Sequence, residues 1–149
     1  MFNKPIIEFR GKYFFLSNFY EYAIVYEGKV YKSTEHAYQA QKTFDLDEIE
    51  AIRGAKTPGS AKKLGNEATV RQDWESIKID VMRDVLWAKF SNPDLSKKLL
   101  STGNVQLIEG NDWNDYFWGV CNEKGKNILG KLLMEIRYEL KNPENIMLP

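Results

Sequence analysis

The chain has 149 residues, the size of one ordinary domain that buries roughly two thirds of its unfolded surface. Its 21 basic and 21 acidic residues balance, which argues against a module that holds nucleic acid by one large basic field and leaves local phosphate contacts open. Cys121 has no second cysteine to pair with, no secretory-type leader opens the sequence, and no apolar run approaches the roughly 18 residues of a membrane span; a cytoplasmic protein is expected.

In chain order, the first third alternates short β-rich runs, Ile6 to Phe9, Tyr13 to Leu16, Ala23 to Tyr26 and Val30 to Tyr31, with Glu27-Gly28-Lys29 as a hairpin turn. Ser33 or Thr34 then caps a helix through about Phe44, and Asp45 or Asp47 opens another through about Arg53. Thr57-Pro58 has the form of an N-cap and first helical residue, so a short helix is expected from Pro58 to Leu64, ended by Gly65, with Lys62 and Lys63 solvated. The strongest helical pattern runs from Trp74 to Phe90, with Trp74, Ile77, Val81, Val85 and Ala88 facing a core. Pro93 to Leu100 reads as a helix and Val105 to Ile108 as a strand. Lys126 to Leu140 is the closing helix, with Leu129, Leu132, Leu133 and Ile136 inward, and a short tail covers about 142–149. The expected fold is α+β, helix-dominated, a single domain over 1–149 with a small antiparallel sheet.

The main chemical signal lies in Ser33 to Lys42. A helix there sets Glu35, Tyr38 or Gln39, and Lys42 along one side, with Glu35 and Lys42 about 10 Å apart along the axis. Ala37, Ala40 and Phe44 on the other side offer packing. The same spacing also describes a solvent-exposed Glu/Gln/Lys ladder, and periodicity alone does not separate the two. His36, the only histidine, invites a general-base role, yet has no evident partner nearby in sequence and ranks below Glu35.

Several runs carry a resemblance. Phe15-Leu16-Ser17-Asn18-Phe19, Gly28-Lys29-Val30-Tyr31, Thr34-Glu35-His36 and Gln39-Ala40-Gln41-Lys42 are followed by Trp74-Glu75 and Ala88-Lys89-Phe90. Asn114 to Gly119 and Gly125 to Gly130 complete the series. Together they resemble the NADAR family, whose YbiA-like members are N-glycosidases, and the likeness covers nearly the whole chain. It implies hydrolysis of a ribosyl C1–N bond, on one of two substrate classes: ADP-ribose attached to guanine in DNA or RNA, or small ribosylamine phosphates early in riboflavin biosynthesis.

Under that resemblance Glu35 is the candidate catalytic carboxylate, able to stabilise an oxocarbenium-like transition state or direct water. Its alternative is a glutamate placed favourably at a helix N-terminus. Lys42 is the second catalytic candidate, through charge or through an imine with ring-opened ribose. His36 and Gln39 are further binding candidates beside them. Gly125, Lys126 and Asn127 precede the last helix, where exposed amides suit a phosphate, unless they form an ordinary turn. Asn114, Asp115 and Trp118 lie in an aromatic loop that either stacks on a base or satisfies its own amides. Ser17, Asn18 and Phe19 are a further pocket wall that rests on the resemblance. No zinc-type ligand spacing and no glycine-rich dinucleotide fingerprint is present, so chemistry without metal or cofactor is expected. A binding module that holds ADP-ribose without cleaving it is the reading from another functional class.

Overall fold

The computed structural model describes residues 4–145. They form two compact units, one continuous from Asn18 to Lys89 and the other built from the stretches before and after it. The fold is α+β and helix-dominated, and its sheet is a single antiparallel hairpin of β1 (Ile24–Tyr26) and β2 (Lys29–Tyr31). Glu27 and Gly28 have φ of 51° and 76°, the paired left-handed conformation that matches a two-residue turn to the twist of the strands.

In the central unit, α1 (Thr34–Ala40) is capped by Ser33, whose Oγ accepts the His36 N–H at 3.1 Å. It ends four residues before the expected Phe44. Gln41 and Lys42 donate to carbonyls three residues back, which tightens the last turn, and Thr43 Oγ1 accepts the Asp45 N–H at 3.1 Å to start the next element. Phe44 is consequently not in the core; it is 69% exposed, with the Arg71 guanidinium 4.2 Å above its ring. The helix α2 (Leu46–Arg53) is capped by Asp45, one of the two residues expected to open it. Its Glu48 carboxylate accepts from Thr43 Oγ1 and from the amide of Thr69. These bonds hold the carboxyl below its ordinary value.

Thr57 caps α3 (Pro58–Glu67), with Pro58 at its start. Gly65 does not end this helix, contrary to the expectation. It lies inside α3, buried where a Cβ would meet the Gln39 side chain. The glycine serves close approach of α3 to α1, and the chain leaves the helix at Ala68. The boundaries of α4 (Trp74–Phe90) match the sequence reading. Its buried side includes Met82, Leu86 and Lys89 as well as Trp74, Val81 and Val85.

The other unit contains α5 (Pro93–Ser101) and α6 (Ile128–Lys141), with little regular β-structure. The expected strand at Tyr13 to Leu16 is a 3-10 helix, Gly11–Leu16. Phe15 and Leu16 are both buried, whereas a strand would send neighbours to opposite faces. The expected strands around Ile6 and Val105 reduce to one parallel bridge, Ile6 to Leu107, held by two 2.8 Å bonds. In α6, Leu129, Leu132, Leu133 and Ile136 are buried as expected, together with Arg137, which donates to Thr102 Oγ1 and the Val105 carbonyl. Beyond it Pro143–Asn145 makes a 3-10 turn, and the rest of the expected tail, 146–149, lies outside the described residues.

Asn127 joins these parts. It has φ of 52°, and its side chain donates to the Leu107 carbonyl and accepts the Glu109 N–H, both at 2.9 Å. Asn127→Ala removes both bonds from a buried position and places alanine in a left-handed conformation. It is expected to destabilise the fold by about 2–4 kcal/mol, read as a lower midpoint in denaturant unfolding.

Candidate active site

The site is built on a helix too short to be stable alone. All seven residues of α1 are buried, so this segment is not an exposed ladder. Each polar side chain on it therefore needs a partner inside the protein.

Glu35 is 7% exposed and Gln39 3%. Gln39 Nε2 donates to Glu35 Oε2 at 2.6 Å, one helical turn away. This bond orients the amide: turning it over would place its oxygen against the carboxylate. The remaining Gln39 oxygen is buried without a hydrogen-bond partner, a cost of about 1–3 kcal/mol that the charge-assisted bond to Glu35 offsets. The Glu35 N–H donates to the Asn18 carbonyl at 3.2 Å, and Thr34 Oγ1 donates to Asn18 Oδ1 at 2.7 Å. Asn18 thus pins the first turn of α1 from outside the helix. Its own amide reaches Met82 Sδ on α4.

Lys42 lies two residues past the end of α1, and its N–H bonds the Gln39 carbonyl. Burial pushes its ammonium below the ordinary lysine value, while the nearby Glu35 charge pulls the other way. The Nζ stands 5.9 Å from the Tyr38 ring centroid, and that ring packs against Trp74 at 5.1 Å. The central unit therefore brings Glu35, Gln39 and Lys42 together, with Asn18 behind them. Phe19 lies in the same unit with its ring edge near Gly59, and Ser17 donates its N–H to Phe14 at the start of that stretch.

His36 does not join this group. It is fully buried, with Nδ1 2.7 Å from Ser33 Oγ and Nε2 3.0 Å from the Ala55 carbonyl. The carbonyl can only accept, so Nε2 carries the proton and Nδ1 accepts from the serine hydroxyl. Burial lowers the pKa and keeps the ring neutral. Both ring nitrogens are engaged within the protein, so the ring ties Ser33 to the Ala55 carbonyl.

The amides expected to cradle a phosphate are engaged within the protein. The amides of Lys126, Asn127, Ile128 and Leu129 donate to the carbonyls of Tyr116, Gly119, Phe117 and Trp118. The loop before α6 has folded over the helix start, so these groups are not open to a phosphate. Gly125 has φ of 143° and passes so close to the Gly119 carbonyl that no side chain fits. Lys126 remains exposed, with Nζ 5.7 Å from the Phe117 ring.

In the same loop Asp115 Oδ1 accepts the N–H groups of Phe117 and Trp118, and Asn111 bonds the Asp115 N–H and carbonyl. The local-turn alternative describes Asp115. Asn114 has φ of 65° and accepts from the Tyr116 hydroxyl, while Trp118 packs edge-on against Phe117.

One residue was missed as a site candidate. Lys89 is fully buried, its Nζ 5.4 Å from the Tyr20 ring, and burial takes its pKa down to about 7. Its position seven residues after Met82, on an otherwise apolar helical stripe, was the available signal.

With the geometry described, comparison with known proteins gives its family. The NADAR domain matches residues 7–141. The chain belongs to the NADAR family. It is 41% identical to the N-glycosidase YbiA of Escherichia coli over 128 residues, which are 83% of this chain and 79% of that protein. An N-glycosidase of Nostoc punctiforme is 39% identical, with 85% of each chain covered. The NMR structure of Escherichia coli YbiA superposes with a TM-score of 0.85 at 36% identity, covering all of this NADAR chain and 92% of that one. A riboflavin biosynthesis protein of Vibrio vulnificus is 38% identical over 89% of the chain, which matches only 38% of that longer protein.

Gly65→Ala tests the support of the site. The new methyl group must displace Gln39, which costs about 1–3 kcal/mol of stability and breaks the bond to Glu35. Denaturant unfolding should show the loss, and turnover should fall by more than the unfolded fraction explains.

Proposed function

We propose that this chain is an N-glycoside hydrolase that removes ADP-ribose from guanine in nucleic acid. The observation that carries the reading is a buried carboxylate, Glu35, held by Gln39 and facing a lysine whose pKa burial has lowered. The N-glycosidase names of the YbiA and Nostoc relatives support the reaction type.

Cleavage breaks the C1–N bond with its electron pair leaving on the base nitrogen, which gains a proton, while water supplies the oxygen at C1. Positive charge develops on the ribose, and a fixed carboxylate stabilises it without reorganising. Gln39 fixes Glu35 in that orientation. Lys42 has two uses: as a cation it balances oxygens of the substrate, and in its neutral form it adds to C1 of the ring-opened sugar, the base leaves with the C1–N electron pair and takes up a proton as the lysine imine forms, and water then hydrolyses that imine to free the lysine. Burial shifts Lys42 towards its neutral form relative to an ordinary lysine.

A second reading has its own support. Riboflavin biosynthesis proteins of Vibrio vulnificus and Zea mays contain related segments at 38% and 40% identity. Under it the same carboxylate and lysine act on small ribosylamine phosphates.

The test is mass-spectrometric detection of ADP-ribose released from a guanine-ADP-ribosylated oligonucleotide, with folded Glu35→Gln beside the wild type. Release by wild type, reduced at least about 100-fold in Glu35→Gln, is expected. No release, with cleavage of the small phosphates instead, selects the second reading; tight ADP-ribose binding without cleavage of either substrate selects a binding module. Borohydride added during turnover is expected to leave a ribosyl adduct on Lys42, and turnover without an adduct removes the covalent role.

A further inference from the structure

We infer that a basic groove in the unit containing α5 and α6 binds the phosphodiester backbone of single-stranded nucleic acid. The cavity is lined by Lys4, Lys12 and Lys98, with Tyr13, Phe15 and Ser101 among the residues between them. The inference rests on the nucleic-acid reading above.

A chain of zero net charge has placed three exposed lysines around one cavity, and among the described residues no carboxylate lines it. They come from three separate segments: the N-terminal stretch, the 3-10 helix Gly11–Leu16 and α5. A cluster assembled from distant parts of the sequence is not the solvated face of a single helix. A fourth cation stands close by, since Arg137 donates to the hydroxyl of Thr102, which also lines the cavity.

The main opposing term is the C-terminal end of α5, whose carbonyls carry partial negative charge. Those carbonyls are occupied. Ser101 Oγ donates to Lys98, the N–H and hydroxyl of Thr102 donate to Leu99, and the Gly103 N–H donates to Leu100. The helix end therefore offers the groove few bare acceptors, and lysine charge dominates it.

The aromatic lining distinguishes a strand from a lone anion. Lys12 stands 5.1 Å from the Tyr13 ring and Lys98 5.7 Å from the Phe15 ring, so two of the lysines are each paired with an aromatic ring of the cavity lining. Grooves that hold single strands combine these same elements, with lysine on phosphate and a ring face on bases. Tyr13 is half-buried and Phe15 buried, which makes Tyr13 the stacking face and Phe15 the floor beneath Lys98.

The experiment is fluorescence anisotropy with a labelled, unmodified single-stranded DNA of about 12 nucleotides, titrated from about 50 to about 200 mM salt. The triple variant Lys4→Gln, Lys12→Gln, Lys98→Gln is compared with wild type and with Lys131→Gln, on α6, after melting curves establish that all are folded. The triple variant is expected to bind at least about tenfold more weakly, with a salt slope shallower by about 2, from roughly 0.7 per lost phosphate contact on a single strand. Tyr13→Ala should weaken binding without changing the slope. Equal affinity and slope in the triple variant and the wild type overturn the proposal. So does a wild type that binds phosphatidylserine vesicles but not the strand. Lysine-dependent strand binding without ADP-ribose release from the modified oligonucleotide would leave the groove standing while the proposed reaction fails.

Discussion

The constraint on which the central unit depends is the complete burial of a seven-residue polar helix. Such a segment gains little from its own few backbone bonds, so packing must hold it, and packing brings Thr34, Glu35, His36 and Gln39 out of water. Internal pairing then becomes obligatory. Ser33 and the Ala55 carbonyl satisfy His36, Asn18 satisfies Thr34, and Gln39 reaches Glu35. Gly65 permits this arrangement because α3 can approach the Gln39 side chain only where no Cβ intervenes.

This packing also sets the chemistry. Low local dielectric strengthens the Glu35–Gln39 bond and disfavours the charged form of Lys42, so one cause produces an oriented carboxylate and a lysine with a lowered pKa. Lys89 shows the same effect more strongly, at a point where its Nζ meets the ring of Tyr20. His36 is the contrast: comparable burial with both nitrogens engaged gives a neutral strut rather than a reactive base.

In the other unit, polar groups serve geometry. Asn111, Asp115 and Asn127 close their bonds on nearby backbone and shape the stretch from Glu109 to α6, whose carbonyls at Tyr116, Phe117, Trp118 and Gly119 occupy the amides at the helix start. Positive charge is instead gathered on the groove beside α5. A neutral composition therefore conceals a local separation of charge, as average charge carries no positional information.

The residues alone determined the local signals. A cap at Ser33 or Thr34, another at Asp45 or Asp47, the Thr57-Pro58 helix start, the Glu27-Gly28-Lys29 turn and the length of α4 are set by interactions within a few residues, and the fold takes Ser33 and Asp45 and contains the other three. The ordered motifs from Phe15 to Gly130 likewise carried the family, and spacing placed Glu35 and Gln39 on one helical side. What only the tertiary structure decided was the environment of those faces. It buried α1, turned Gly65 from an expected helix end into a contact, converted Tyr13 to Leu16 into a 3-10 turn and covered the start of α6. Sequence periodicity shows which side chains share a face; what covers that face, and therefore whether a charge is solvated or reactive, depends on segments distant in the chain.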